Sequence, residues 1–206
     1  GSTFLSKFFL EPLIESATQL RRLCIRDHLM VDQIEALSKG LVSNKLLHTL
    51  DLSRSCIDDF SCLAKGLQGA CVKVLRLRSI GLRDRHLEEL IKALESPSLA
   101  STAPSPSSSS SSANMAITLE SLDLSFNRLC NLKYIGKFLE RSDCNLTELL
   151  IGYQNLWQPS RNGSNIDISS ITDALSKNKR LTILKLRRNE LGNSDSILFA
   201  LALAEN

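Results

Sequence analysis

The chain has 206 residues, 43% of them hydrophobic, 23% charged and 5% aromatic, which supplies one folded domain or a short repeat array and excludes disorder of the whole. Its 25 Lys and Arg against 22 Asp and Glu leave a formal charge of +3, too balanced to demand nucleic acid or a membrane surface as partner. No run approaches the roughly 18 to 20 apolar residues that span a bilayer.

Gly1-Ser2 reads as the remnant of a cleaved tag, which leaves open what precedes it, and Gly1 to Leu10 lacks the layout of a signal peptide. Thr3 to Thr18 carries Phe4, Leu5, Phe8, Phe9, Leu13 and Ile14 at helical spacing, with Pro12 breaking or starting a helix. Two readings stand over residues 1–19: a helical cap on the first repeat, or the end of a preceding one.

From Leu20 onward six segments align on L-x-x-L-x-L-x-x-N-x-L. They are LRRLCIRDHLM from Leu20, LHTLDLSRSCI from Leu47, VKVLRLRSIGL from Val72, LESLDLSFNRL from Leu119, LTELLIGYQNL from Leu146 and LTILKLRRNEL from Leu181. Their starts lie 27, 25, 47, 27 and 35 residues apart. The two long intervals hold insertions. Ser96 to Asn114 is serine- and proline-rich and cannot bury enough surface to order itself, so a disordered loop is expected, of a kind that favours a eukaryotic source. Ser96-Pro97 and Ser105-Pro106 are candidate sites for proline-directed kinases. The second insertion spans residues 157–165.

Within each segment the L-x-L core alternates as a strand with one buried face. Helical spacing follows it: Leu63 and Leu67; Leu87, Leu90 and Leu94; Leu132, Ile135 and Leu139; Ile171 and Leu175. One strand and one helix per period cannot bury their own apolar faces, so neighbours must stack. The expected fold over residues 20–206 is therefore α/β: a horseshoe-shaped solenoid with a parallel sheet on its concave face and helices on its convex face. The last helix, from Ser196 to Leu201, has no polar capping repeat after it, so further repeats are expected beyond Asn206.

The period and the full-length helices, best seen around LESLDLSFNRL and LTILKLRRNEL, make the chain resemble the ribonuclease-inhibitor subclass of leucine-rich-repeat proteins. That family includes inhibitors, Ran GTPase activators, tropomodulin-like actin binders, tonsoku-like chromatin factors and the sensing ends of immune receptors. The resemblance implies a binding scaffold rather than an enzyme. It also implies an asparagine ladder, in which each repeat's Asn bonds turn backbone. Asn127 and Asn189 match and Gln154 can substitute, whereas His28, Ser55 and Ile80 depart, so the first three turns are expected to be less regular than the last three.

The chemistry-bearing residues agree with a scaffold. No Gly-rich phosphate loop, GxSxG elbow or HExxH pair occurs. Cys24, Cys56, Cys62, Cys71, Cys130 and Cys144 form no CxxC pair and read as reduced thiols. His28, His48 and His86 stand far apart with no ligand spacing for zinc, so neither metal nor cofactor is expected.

Strand alternation sends three columns of side chains to the open face of the sheet. The middle one reads Cys24, Asp51, Arg76, Asp123, Leu150, Lys185. Arg22, Arg26, Arg76 and Arg78 with Asp51 and Asp123 form a secondary concave face whose alternating charges are weighed first as a self-satisfying ladder. The primary candidate surface is Phe126, Leu150, Tyr153 and Trp157 bordered by Lys185, Arg187 and Arg188, a hot-spot composition. Its competitor is a small satellite core in which the insertion covers Phe126 and Tyr153. The expected partner is another protein met inside the cell, in cytoplasm or nucleus, with no small-molecule substrate and no membrane. Assistance to a GTPase is one alternative. Nucleic-acid or chromatin binding is the other, and Asp51, Asp123 and Glu148 count against it.

Overall fold

The computed structural model describes Ser16 and residues 19–95, 118–154, 168–189 and 191–206. The Ser-rich insertion, the insertion at 157–165 and nearly all of the N-terminal apolar stretch lie outside the described residues.

A strand, a turn and a helix recur along the chain. In order they are β1 (Arg22–Cys24), β2 (His28–Leu29), α1 (Val31–Ser43), β3 (Thr49–Asp51), β4 (Cys56–Ile57) and α2 (Phe60–Leu67). Then follow β5 (Val74–Arg76), α3 (Asp84–Glu95), β6 (Ser121–Asp123), α4 (Lys133–Leu139), β7 (Glu148–Leu150), α5 (Ser169–Lys177), β8 (Ile183–Lys185) and α6 (Asn193–Glu205). Six strands form one parallel sheet in the order β1-β3-β5-β6-β7-β8, and β2 pairs with β4 in a second parallel ladder. The register joins equivalent positions: Leu23 to Leu50, Leu75, Leu122, Leu149 and Leu184. This α/β arrangement with a parallel sheet agrees with the sequence.

The core lies between the sheet and the helices. Leu50, Leu75, Leu122 and Leu149 are fully buried, and so are Leu87, Leu90, Leu132, Ile135 and Ile171 from the helical faces; each such side chain contributes about 1.5–3 kcal/mol. Asp59 starts α2 by accepting a hydrogen bond from the Cys62 N–H at 3.0 Å, which satisfies one of the helix's orphan donors. Consecutive helices pack so closely that a side chain at Gly66 would strike Ser38, and one at Gly136 would strike the backbone of Ser170. At the C-terminal end, α6 turns Ile197, Leu201 and Leu203 to solvent.

The polar ladder runs between repeats. Asn127 is buried; its Oδ1 accepts from the N–H groups of Ile80 and Leu82, both at 3.1 Å, and its Nδ2 donates to the carbonyls of Leu77 and Leu124. Gln154 serves the preceding turn in the same way, donating to Leu124 O and accepting from Leu129 N–H. Asn189 donates to Ile151 O and accepts from Gln154 N–H. Ser55 does the same work for the first turn, its hydroxyl donating to Ile25 O at 2.9 Å and accepting from Asp27 N–H. Ile80, which has no polar group to offer, packs against the core instead.

Two expectations about the turns need correction. Turns two and three are as regular in backbone as the last three, since Arg54, Ser79, Phe126, Tyr153 and Arg188 all take positive φ, from 56° to 65°, at equivalent positions. The backbone sets this conformation, whichever residue fills the ladder position. Only the first turn differs. It is one residue shorter, so Leu29, 1% exposed, takes the buried place that the sequence pattern gives to Met30, which is 44% exposed. His28 consequently sits outside the ladder and faces solvent.

Candidate functional site

The open face of the sheet carries the columns in the register that alternation requires. Cys24, Asp51, Arg76, Asp123, Leu150 and Lys185 are register partners across successive strands. Arg26, Asp51, Ser53, Arg54, Arg76, Arg78 and Asp123 line a cleft of about 330 Å³ on it. Asp51 anchors this cleft. Its Oδ1 accepts from Ser53 N–H at 3.0 Å, and Arg26 and Arg76 both approach its Oδ2 at 3.9 Å. Burial pushes the Asp51 carboxyl up, but the Ser53 hydrogen bonds together with Arg76 and Arg26 outweigh that and hold it below its ordinary value. Asp123 is pinned alike by Ser125 N–H at 2.9 Å.

The expected alternation of charges is thus present but unbalanced. One carboxylate is shared by two arginines at distances too long for a strong pair, and four guanidinium groups meet two carboxylates around the cleft. Arg54 was not among the residues picked from sequence. Its position is the one that Phe126 and Tyr153 occupy two and three repeats later, and that equivalence is the signal that could have found it.

The turn column holds the second feature. Phe126 N–H donates to Gly152 O and Tyr153 N–H to Arg187 O, so successive turns are fixed side by side. Their rings stack with centroids 4.1 Å apart and planes inclined by 13°. The Arg78 guanidinium lies 4.2 Å from the centre of the Phe126 ring, and Arg187 and Arg188 lie 5.8 and 5.9 Å from that of Tyr153. The outcome is a row of cations and rings running along the rim, held by offset stacking and cation–π attraction. Phe126 and Tyr153 are half-buried, Leu150 beside them is half-buried, and Lys185, Arg187 and Arg188 are exposed. Trp157 lies outside the described residues. Arg22, at the start of β1, is exposed but belongs neither to the cleft nor to the row.

The reading of the histidines is corrected on one point. His28, Cys56 and Asp58 place their donor atoms within 4.8 Å of one another, the one group of three metal-type donors among the described residues. A separation of one repeat hid this proximity from short-range spacing. None of the six cysteines, all among the described residues, is in a disulfide; burial pushes the Cys144 thiol up, while Cys24, Cys56 and Cys130 are exposed. No described helix is long and apolar enough to cross a membrane.

No protein-family model matches the chain, and a search of curated proteins finds no match either. Among solved structures, the tropomodulin C-terminal domain of Caenorhabditis elegans is similar at 14% identity, covering 97% of this chain and 91% of that one, with a TM-score of 0.45. Leiomodin-1 actin-binding site 2 follows at 13% identity, 99% and 90% coverage and a TM-score of 0.48. An internalin from Listeria monocytogenes shows 12% identity, 87% and 67% coverage and a TM-score of 0.29. Likenesses at this level decide neither partner nor mechanism, which rest on the chain's own geometry.

Proposed function

We propose that residues 20–206 act as a leucine-rich-repeat module, a curved solenoid of the ribonuclease-inhibitor kind, that binds another protein along the open sheet face and its C-terminal rim and has no catalytic role. The observation that carries this reading is the row Arg78, Phe126, Tyr153, Arg187 and Arg188. Bulky residues in left-handed turns cost on the order of 1 kcal/mol each, and here two of them present flat, half-exposed ring surface between cations instead of filling a core. Aromatic and arginine side chains of this kind are the usual anchors of protein interfaces.

The chemistry also defines the partner. The excess of arginine around the cleft favours acidic side chains or a carboxylate terminus, for which guanidinium offers paired donors. The stacked rings favour a flat apolar or aromatic segment beside them. Leu150 and Lys185 complete the proposed contact, with Trp157 joining from the insertion. We expect that partner to be met inside the cell, in cytoplasm or nucleus.

The experiment is a pull-down from native lysate with wild type beside the Phe126/Tyr153/Trp157 triple alanine variant, followed by affinity measurement on the recovered partner. Tyr153→Ala is expected to weaken binding at least tenfold while the melting temperature falls by no more than about 3 °C. A large drop in melting temperature with affinity intact would make the rings a satellite core. Binding that is lost when the lysate is treated with nuclease would point to phosphate contacts, and hence to nucleic acid.

A further inference from the structure

The shortened first turn creates a constellation that the binding face does not use. β2 and β4 are paired in parallel with His28 opposite Cys56 and Leu29 opposite Ile57. Leu29 is buried and Ile57 half-buried, so the alternation of the strand directs His28 and Cys56 outward on the same face. Asp58, two residues beyond Cys56, returns to that face, and its N–H is held by Leu29 O at 3.2 Å while Cys56 N–H is held by Asp27 O at 3.2 Å. Backbone pairing therefore holds the three residues side by side on one face before any ligand arrives.

We infer that His28, Cys56 and Asp58 form a binding site for a zinc-class divalent cation, with Nε2, Sγ and a carboxylate oxygen as ligands. The three atoms lie within 4.8 Å of one another, and His28 Nε2 already stands 2.7 Å from Asp58 Oδ1. Against a carboxylate the imidazole nitrogen is the donor of that hydrogen bond. A divalent cation would displace the bridging proton and take both atoms as ligands. Ligand bonds of about 2.0–2.3 Å to a tetrahedral ion put neighbouring donors about 3.3–3.7 Å apart, a spacing reached here by small rotations of three exposed side chains. One sulfur, one nitrogen and one oxygen suit zinc, cobalt or nickel; a lone carboxylate does not meet the all-oxygen demand of calcium or magnesium. The fourth position is open to water.

The ion joins the first repeat to the second, at the turn where Ser55 replaces the ladder asparagine. Its binding therefore stabilises the N-terminal end of the stack, because ligation requires β2 and β4 to be paired.

The test uses the full chain and the metals themselves. Cobalt(II) titration is read by sulfur-to-cobalt charge-transfer absorption, and zinc titration by calorimetry and melting temperature. One ion per chain is expected, with the absorption lost in Cys56→Ser and kept in Cys24→Ser and Cys130→Ser. Zinc affinity should fall at least tenfold in Cys56→Ser, His28→Gln and Asp58→Asn. Zinc should raise the wild-type melting temperature by about 3 °C or more at saturation and that of the variants by less at the same concentration. As a measurement that needs no variant, zinc should slow alkylation of Cys56 in the wild type without slowing that of Cys24 and Cys130. Absorption that survives in Cys56→Ser, or Cys56 alkylation indifferent to zinc, overturns the site.

Discussion

Asn127 shows how one side chain organises a turn that is not its own. It satisfies two backbone donors and two backbone acceptors, three of which belong to the preceding repeat. Removing it leaves those groups without partners, which costs more than the loss of an ordinary hydrogen bond. Asn127→Ala is therefore expected to lower stability by about 2–4 kcal/mol, whereas Ser55→Ala, which releases one donor and one acceptor, should cost about half as much. Chemical denaturation of both variants checks the order; equal losses would mean that water replaces the amide freely. The ladder was legible in sequence because its position is defined by counting from the leucines. His28 was misread for the same reason. Counting assumes a constant turn length, and nothing local in CIRDHLM announces that the turn is one residue short. Burial decides it: Leu29, rather than Met30, reaches the core, and that is a property of the stack and not of the segment.

At the level of elements, strands and helices followed from periodicity, since the L-x-L alternation and the helical leucines state which face is buried. What periodicity does not encode is how closely two helices approach. Gly136 faces the backbone of Ser170 across the α4–α5 contact, and a methyl group there has no flexible neighbour to displace. Gly136→Ala should force the two helices apart and destabilise the chain by about 1–3 kcal/mol, despite the gain in helix propensity that alanine brings. A denaturation midpoint that rises instead would show that the helices tolerate the shift. The small residue signalled nothing by itself in sequence, because a glycine in a helix reads equally as a weakness or as a close contact. The aromatic column was legible as a pair of equivalent positions. That the rings stack on each other and are bracketed by Arg78 on one side and Arg187 on the other depends on the left-handed turns that bring adjacent repeats into line.

Over the whole molecule the near-neutral total conceals an uneven distribution. A formal charge of +3 hides a cleft with four arginines against two aspartates and a rim on which Arg78 of the cleft and two further arginines, Arg187 and Arg188, lie over rings. Composition alone excluded a strongly basic protein, correctly, but gave no view of where its positive charge gathers. Sheet register supplies that view, since it converts one repeat period in sequence into direct contact in space. The same conversion places His28 against Cys56. The account rests above all on the row from Arg78 to Arg188 being the surface that meets another protein. Hydroxyl-radical footprinting of the free and partner-bound chain reads this residue by residue. Oxidation of Phe126 and Tyr153 is expected to fall several-fold in the complex while that of Tyr134, on α4 among the helices, stays as in the free chain. Protection of Tyr134 with Phe126 and Tyr153 unchanged would contradict it and move the interface to the helical side.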